Sequence, residues 1–490
     1  MATRGNGTAS SPGCALAGCG AVPLPSDGRR LPDADYLFAG FTRSVCHHCQ
    51  AELPDDIRLV DAEILIRGGR VYMRKRCPRH GVFETLKASD AEWYLSATRT
   101  LTAGSPPLAF STEVRDGCPT DCGLCPHHHQ HVCSPVIDIN DNCDMQCPIC
   151  NVRNDYTYMM SLEEFDRILD TLERSEGTLK EIILSGGEPA IHPRVLDLLA
   201  RARERGAPHT RVIINTNGLR ISRDERFVEA LARLRVTVNL QFDGFDPKAC
   251  EILRGNDYTA PKQQALQNLE RFGVETVLDY VIGRGINEDD LGRVIRELLV
   301  RPFVIGLVIQ PISHTGISAS FATDPTDYIT IPDVLKLIEE QTGGYLTRAD
   351  FGPGRCSHPE CCYLVNVYVH GNRLTPANRL FDPPVYNRLI QNQFLILDTE
   401  AQGARMRGTP FARPPTPEGY KPTGYKPIVI HDFMDGYTFD LERAMKCCWV
   451  YPQGDGRLMP MCTYNIFHRH RDVRARALAG PRRAERRIDT

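Results

Sequence analysis

Three cysteines in one short loop constrain this chain more than any other feature of its sequence. Cys143, Cys147 and Cys150 follow the spacing C-x3-C-x2-C, which lets one loop bind one corner of a 4Fe–4S cluster through three thiolates. The next cysteine, Cys250, comes a hundred residues later. Three ligands leave one iron open, and an open metal position is typical of reactive sites. A zinc site or a structural cluster with a distant fourth ligand is the alternative.

The segments on either side of this loop have the pattern of parallel βα units. Val136–Ile139 predicts a strand before the loop, and Glu181–Leu184 predicts a second strand that ends in the turn Ser-Gly-Gly-Glu-Pro at residues 185–189. Glycine lets backbone approach a ligand closely. The Glu188 carboxylate of this turn can accept hydrogen bonds from an ammonium group.

The cysteine loop and the glycine turn together resemble the radical S-adenosylmethionine (SAM) superfamily. The resemblance implies that the three cysteines of the loop bind the cluster and that its open iron chelates the amino and carboxylate groups of SAM. Gly186, Gly187 and Glu188 match the turn that binds the SAM amino group in that family.

Predicted strands alternate with amphipathic helices from residue 134 to 311, as in a parallel sheet. The further strands are Arg211–Asn215, Val236–Phe242, Glu275–Ile282 and Val304–Gln310. Six repeats predict an α/β fold, a partial (β/α)6 radical SAM barrel open on one side. The resemblance implies SAM contacts for polar residues at the strand ends, which are Asn217, Gln241, Asp243 and Gln310. Asn217 and Asp243 each precede a glycine, so both also fit ordinary turns.

An N-terminal module, residues 36–92, carries two pairs of metal-ligand residues. Cys46 and Cys49 form the first pair, and Cys77 and His80 form the second after a hairpin-like stretch. Four such ligands predict a tetrahedral site of the rubredoxin or zinc-ribbon type, which holds one zinc or one iron. His47 and His48 are competing ligands. So short a segment has little core of its own, and we therefore expect the metal to be present.

Two further groups of cysteines flank the barrel. Residues 93–133 repeat the C-x3-C-x2-C spacing and add a fourth cysteine, which predicts a closed auxiliary 4Fe–4S cluster on Cys118, Cys122, Cys125 and Cys133. Residues 312–467 predict a third 4Fe–4S cluster on Cys356, Cys361, Cys462 and one of Cys447 or Cys448. The spare cysteine of each adjacent pair is expected to pack as a small apolar residue.

Composition excludes several classes of function. Lysine and arginine (58) nearly balance aspartate and glutamate (61), so bulk charge gives no reason to expect nucleic acid. Residues 1–35 are rich in Gly, Ala, Ser and Pro and lack a signal-peptide pattern, which predicts a disordered leader. Nineteen cysteines at ligand spacings without a secretion signal predict metal sites in the reducing cytoplasm. The basic tail, residues 468–490, predicts a solvated terminus or contact with an anionic membrane surface.

The order of these modules resembles the tetraether lipid synthase group and its dihydrohydroxymethylpterin methyltransferase-like relatives. The likeness rests on the sequences CPRHG at 77–81, GCPTDCGLCP at 117–126, CSHP at 356–359, KCC at 446–448 and CTYN at 462–465. It implies a 5′-deoxyadenosyl radical, made from SAM, that removes hydrogen from an unactivated carbon. In lipid-acting members the result is a carbon–carbon bond between two hydrocarbon chains.

Two alternatives to lipid coupling stay open. The first is methylation of a pterin-type small molecule, also implied by the resemblance. The second is an iron–sulfur electron-transfer protein without radical chemistry. The intact glycine turn and the missing fourth ligand near Cys150 argue against it. An enzyme of this kind also needs an electron donor, which we expect to be a reductase or a ferredoxin-type protein.

Overall fold

The computed structural model describes residues 35–152, 158–321, 324, 326–370, 373–380 and 424–470 of the 490-residue chain. These residues form a small N-terminal sheet and one large sheet with helices along it. Nearly all of the predicted leader and the arginine-rich end of the tail lie outside the described residues.

Four antiparallel strands in the order β1-β2-β3-β4 make up the small sheet, called the ribbon below. Its elements are Leu37–Val45 (β1), His47–Glu52 (α1), Leu59–Arg67 (β2), Arg70–Cys77 (β3), Gly81–Ala88 (β4) and Ala91–Thr98 (α2). Gly68 and Gly69 join β2 to β3 with φ angles of +57° and +75°, which suit a two-residue hairpin turn and which glycine adopts at low cost. The predicted hairpin is confirmed.

Six parallel strands in chain order form the centre of the large sheet. They are Ser134–Asn140 (β5), Glu181–Gly186 (β6), Arg211–Thr216 (β7), Thr237–Gln241 (β8), Thr276–Ile282 (β9) and Val304–Pro311 (β10). The helices along them are Leu162–Glu176 (α3), Val195–Arg205 (α4), Leu219–Arg223 (α5), Glu225–Arg233 (α6), Pro247–Arg254 (α7), Thr259–Phe272 (α8) and Leu291–Val300 (α9). The partial barrel predicted from the sequence is confirmed, and its carboxyl strand ends meet at one edge.

The C-terminal part of the chain extends this sheet at both sides, which the sequence did not predict. Gly424–His431 (β14) pairs in parallel with β10 and antiparallel with Cys362–His370 (β12). Trp449–Pro452 (β15) pairs in parallel with β5 and antiparallel with Leu458–Pro460 (β16). The other elements are Ile331–Gln341 (α10), Gly352–Pro353 (β11), Arg373–Pro376 (β13), Leu441–Met445 (α11), Met461–Thr463 (α12) and a π-helix over Tyr464–His468. Residues after 311 therefore contribute strands to the barrel sheet itself.

The main hydrophobic core lies between the parallel strands and their helices. Helix α3 illustrates how the sequence produces it. The Ser161 hydroxyl accepts a hydrogen bond from the Glu164 N–H (3.2 Å) and so caps the helix, while Phe165, Ile168 and Leu169 recur at helical spacing and are buried. In the part of the chain that the structure describes, no helix combines the length and the apolar character needed to cross a membrane.

Candidate active site

The glycine turn after β6 lies directly against the cysteine loop after β5. The Gly187 N–H donates to the Asn140 carbonyl (2.8 Å), and the Glu188 N–H donates to the Asn142 carbonyl (2.6 Å). A Cβ on Gly186 would lie 2.2 Å from the Asn140 oxygen, and one on Gly187 would lie 2.2 Å from the Asn142 oxygen. Gly186 also has a φ of +135°. Both positions therefore require glycine, and the turn holds the start of the cysteine loop in place.

The Glu188 carboxylate ties this turn to the end of β7. Its Oε1 accepts from the Ala190 N–H (2.8 Å) and the Thr216 hydroxyl (2.7 Å), and its Oε2 accepts from the Asn217 N–H (2.6 Å). The residue is only 2% exposed, and burial raises its pKa to about 7. The resemblance assigns Glu188 to the SAM amino group, whereas the structure engages both of its oxygens within the chain.

A buried polar network joins the predicted residues at the ends of β7 and β8. Asp243 accepts two hydrogen bonds from Arg254, of 2.6 and 2.8 Å, and a third from the Gln241 side chain. Lys262 donates to the Gln241 side-chain oxygen (2.5 Å) and to the Asn217 carbonyl. The structure therefore brings Asn217, Gln241 and Asp243 together and adds two cations that the sequence analysis missed.

These two cations lie beside the cysteine loop. Burial opposes the charge of Arg254, but Asp243 raises its pKa above the usual value, and its guanidinium also interacts with the Cys147 thiol. Burial, reinforced by the charge of Arg254, lowers the pKa of Lys262 to about 8. Neither residue belongs to a sequence motif. The one available signal was Asp243, because a buried carboxylate needs a cationic partner.

The other predicted SAM contacts also lie at this edge of the sheet. The Asn217 side-chain amide donates to the Asp144 carboxylate inside the cysteine loop (2.7 Å). Gln310 is half-buried near the end of β10, opposite Val281 of β9. The structure gives their positions, and their contacts with SAM stay predictions.

The residues around the loop fit a 4Fe–4S cluster with SAM. Cys143, Cys147 and Cys150 are each partly exposed on the one loop, so their thiols are accessible to a cluster. The two glycines leave no room for side chains beside the loop, and two buried cations offset the charge of thiolates or of a bound carboxylate. When bound, the cluster and SAM would supply a 5′-deoxyadenosyl radical. The protein's part is to hold both and to exclude water.

The four predicted ligands of the ribbon are brought together as one site. The His80 Nδ1 lies 3.5 Å from the Cys46 sulfur, 3.4 Å from the Cys49 sulfur and 3.6 Å from the Cys77 sulfur. Ligands at about 2.0–2.3 Å around a tetrahedral ion are separated by about 3.3–3.8 Å, so the distances fit. The His80 Nε2 lies 3.0 Å from a Glu52 oxygen, the outer contact that orients a metal-binding imidazole.

The auxiliary cysteines are grouped differently from the sequence expectation. Cys133 was expected beside Cys118, Cys122 and Cys125, but its thiol lies within 4.8 Å of those of Cys356 and Cys448. Its backbone N–H also donates to the Cys448 carbonyl (2.9 Å). Strand β15 pairs with β5 and carries Cys448 to Cys133. The structure therefore adds Cys356 and Cys448 as neighbours of Cys133 that the short eight-residue spacing did not indicate, and the ligand set of each cluster stays a prediction.

Of the adjacent cysteines at 447 and 448, Cys448 is the one whose thiol lies close to those of Cys133 and Cys356. Burial raises the pKa of Cys462 above its usual value, and the charges of Cys447 and Cys361 add to the rise. That only one cysteine of the 447–448 pair binds a cluster stays a prediction. Cys362 lies in a buried apolar cluster with Leu364, and the same cluster contains Cys133, Cys356 and Cys448. Which cysteine of the 361–362 pair is the spare one stays a prediction.

A cavity of about 390 Å³ lies between the ribbon and the carboxyl edge of the barrel. Its lining includes His47, His48, His314, Gly316, Tyr437 and Arg469. A Cβ on Gly316 would lie 2.4 Å from the Asn151 oxygen, and the Ser318 N–H donates to the Cys150 carbonyl (3.1 Å). One lining residue, Gly316, therefore contacts the chain directly after Cys150, which places one wall of the cavity next to the end of the cysteine loop. Sequence reasoning missed it because its walls come from segments far apart in the chain.

Comparison with known proteins identifies two domains. The family model described as the radical SAM superfamily matches residues 112–298. The model described as the HMPTM N-terminal zinc ribbon domain matches residues 38–89. Both matches agree with the barrel and the ribbon of the structure.

Several curated proteins are similar in sequence. The 7,8-dihydro-6-hydroxymethylpterin dimethyltransferase of Methanocaldococcus jannaschii is 29% identical, over 87% of this chain and 94% of its own length. A GTP 3′,8-cyclase of Rhizobium leguminosarum bv. trifolii is 28% identical over 33% of this chain and 46% of its own length. Among solved structures, Streptococcus suis SuiB bound to S-adenosylmethionine has a TM-score of 0.36 at 18% identity, covering 43% of this chain and 47% of SuiB.

The protein is a radical SAM enzyme with an N-terminal zinc ribbon. Its cofactors are accordingly a 4Fe–4S cluster and SAM, and the ribbon and the further cysteine groups suit additional metal or clusters.

Proposed function

We propose that this radical SAM enzyme methylates a pterin-type small molecule, replacing a carbon-bound hydrogen with a methyl group from a one-carbon donor. The observation that carries the proposal is the cavity of about 390 Å³ beside the cysteine loop. Small-molecule sites are typically concave and of several hundred Å³, with a few polar groups that fix orientation. The imidazoles and the guanidinium in its wall suit a polar heterocycle.

The relatedness over most of the chain supports the same substrate class. The relative from Methanocaldococcus jannaschii is named for a dihydropterin substrate, and the similarity spans 87% of this chain. It thus extends beyond the radical SAM domain to the ribbon and the C-terminal segments, whose residues line much of the cavity. Similarity over the segments that line the cavity is a reason to expect a related substrate.

Coupling of lipid hydrocarbon chains is the second candidate, and one observation favours it. Strand β1 of the ribbon exposes Leu37 (64%), Phe38 (48%) and Phe41 (73%). Exposed apolar side chains of this kind suit contact with lipid or with the apolar surface of another protein. Two long chains that meet end to end would need an extended apolar tunnel, whereas the cavity beside Cys150 is compact and partly polar.

Either reaction requires one electron for the cleavage of each SAM. The cluster on Cys143, Cys147 and Cys150 would receive it from a reductase or a ferredoxin-type donor, and a peripheral membrane contact belongs to the lipid candidate only.

The test measures 5′-deoxyadenosine formed by the reduced protein after anaerobic reconstitution. Three samples receive no addition, a dihydropterin or a membrane-lipid extract. The proposal predicts stimulation by the dihydropterin, with a product heavier by one or more methylene units. Stimulation by lipid alone, with a product two hydrogens lighter than its precursors, would replace it with chain coupling. SAM cleavage that neither addition changes would contradict both substrate classes.

A further inference from the structure

We propose that His314 and Arg469 select the substrate by hydrogen bonding to one edge of it. His314 would accept from an N–H or O–H of the ligand, and Arg469 would donate to a carbonyl-type acceptor next to that group. This inference rests on the proposed function, because an aminopyrimidinone edge, as in a pterin, has both groups side by side. Both residues line the cavity next to the cysteine loop.

The hydrogen bond at its other ring nitrogen fixes which atom His314 offers. The Nδ1 lies 3.1 Å from the Ser318 carbonyl, and a carbonyl oxygen can only accept, so Nδ1 carries the proton of a neutral ring. The Nε2 is then left with a free lone pair as an acceptor. It is buried without a hydrogen-bond partner among the residues that the structure describes, and the residue is 7% exposed.

The position of this ring is also fixed from behind. The His314 backbone N–H donates to the Asp435 carboxylate (3.0 Å), and the Tyr328 hydroxyl donates to the same oxygen (3.2 Å). The rings of His314 and Tyr328 have their centroids 5.4 Å apart. Because the His314 ring is already held in place, it loses little conformational entropy when a ligand binds to its unused acceptor. This preorganisation favours selectivity.

Arg469 supplies the complementary donor. Its Nη1 donates to Asp138 of β5 (2.7 Å), and its Nε donates to the Asn465 side-chain oxygen (2.8 Å). The guanidinium also stacks over the Tyr451 ring, 4.6 Å from its centroid. Its Nη2 is buried and has no hydrogen-bond partner within the described parts of the chain. The residue is 5% exposed and lines the cavity, and the acceptor that we assign to Nη2 is a ligand bound there.

Two residues that line one cavity each carry an unused polar atom, and the two atoms are of opposite kind. A buried polar atom left without a partner costs free energy, whereas a ligand that pairs both recovers it. Hydrocarbon can pair neither atom. The edge of a dihydropterin presents an N–H to the His314 Nε2 and a carbonyl oxygen to the Arg469 Nη2, and sites built this way reject analogues that lack the polar groups.

The test compares dissociation constants for a dihydropterin, measured by calorimetry on the reconstituted protein with SAM. The His314→Phe variant keeps a ring but removes the acceptor, and we expect its dissociation constant to rise about tenfold, as for one lost hydrogen bond in a desolvated site. His314→Gln retains an acceptor at a similar reach and should recover part of the affinity. His209→Phe, at an exposed position far from the cavity, should bind like the wild type.

An analogue methylated at the lactam N–H completes the experiment. It should bind the wild type and His314→Phe with equal weakness, because the deleted hydrogen bond is then absent from both. Equal binding of the unmodified dihydropterin by wild type and His314→Phe would overturn this inference and leave the proposed function intact. Absence of dihydropterin binding by the wild type would overturn the proposed function and this inference with it.

Discussion

Replacing Gly187 by alanine should displace the cysteine loop and suppress SAM cleavage. The added Cβ would lie 2.2 Å from the Asn142 oxygen, 2.6 Å from its carbonyl carbon and 2.7 Å from the Asp141 oxygen. Real Cβ contacts essentially never fall below 3.0 Å, so the loop must retreat by about 0.8 Å. All three obstacles are backbone atoms, so no side-chain rotation can relieve them.

The cost follows from two contributions. Overpacking of this kind typically costs about 1–3 kcal/mol. The retreat also weakens the Gly187 and Glu188 N–H bonds to the loop carbonyls, each worth about 1 kcal/mol. We therefore expect about 2–4 kcal/mol of local destabilisation. A misplacement near 1 Å at a reacting centre can cost roughly 100-fold in rate.

The assay is 5′-deoxyadenosine formation per bound iron by the reduced, reconstituted variant. Gly352→Ala is the matched control, because a Cβ there has nothing within 4 Å, and it should behave like the wild type. A Gly187→Ala variant that cleaves SAM at the wild-type rate would refute the reasoning that this turn positions the cysteine loop.

Three further predictions follow from other parts of the structure. Arg254→Met leaves the buried Asp243 carboxylate without its cation and should lower the free energy of unfolding, measured by urea titration, by about 3–5 kcal/mol. The control Arg271→Met removes an exposed ion pair and should lower it by less than ~1 kcal/mol. Equal losses in the two variants would contradict the prediction. Cys77→Ala should lose one metal ion per chain, as measured by elemental analysis. Cys250 lies outside the metal groups found among the described residues, so Cys250→Ala should keep that ion. An unchanged metal content in Cys77→Ala would refute the ribbon site. Burial lowers the pKa of Lys426 to about 8, so between pH 8 and about 10 the unfolded chain keeps a proton that the folded protein releases. The free energy of unfolding of the wild type should therefore rise with pH in this range relative to that of Lys426→Met. Parallel pH profiles of stability for the two proteins would refute the prediction.

The parts of the fold that depend on local pattern were predictable from the sequence. Strands β5 to β10 follow the regular alternation of βα units, and the glycine turn after β6 was identified from its residues alone. Strands β14 and β15 were not predicted, because they pair with β10 and β5 across long stretches of chain. Pairings of this kind depend on tertiary structure rather than on local periodicity.

The same distinction applies to the candidate site. The ribbon ligands Cys46, Cys49, Cys77 and His80 could be grouped because each pair lies within one short turn. The proximity of Cys133 to Cys356 and Cys448 could not be predicted, since these two neighbours lie on distant segments of the chain. Arg254 and Lys262 lie on helices without a motif, and His314 and Arg469 have no sequence pattern that predicts an unused hydrogen-bonding atom.

The most direct test of radical SAM chemistry at this loop compares the wild type with Cys147→Ala after anaerobic reconstitution and reduction. Each protein is assayed for 5′-deoxyadenosine and for iron and zinc per chain. We predict that the wild type cleaves SAM, and that Cys147→Ala forms no 5′-deoxyadenosine while it keeps the ribbon metal and the iron of the other cysteine groups. SAM cleavage by Cys147→Ala at the wild-type rate would contradict the assignment of this loop as the catalytic centre.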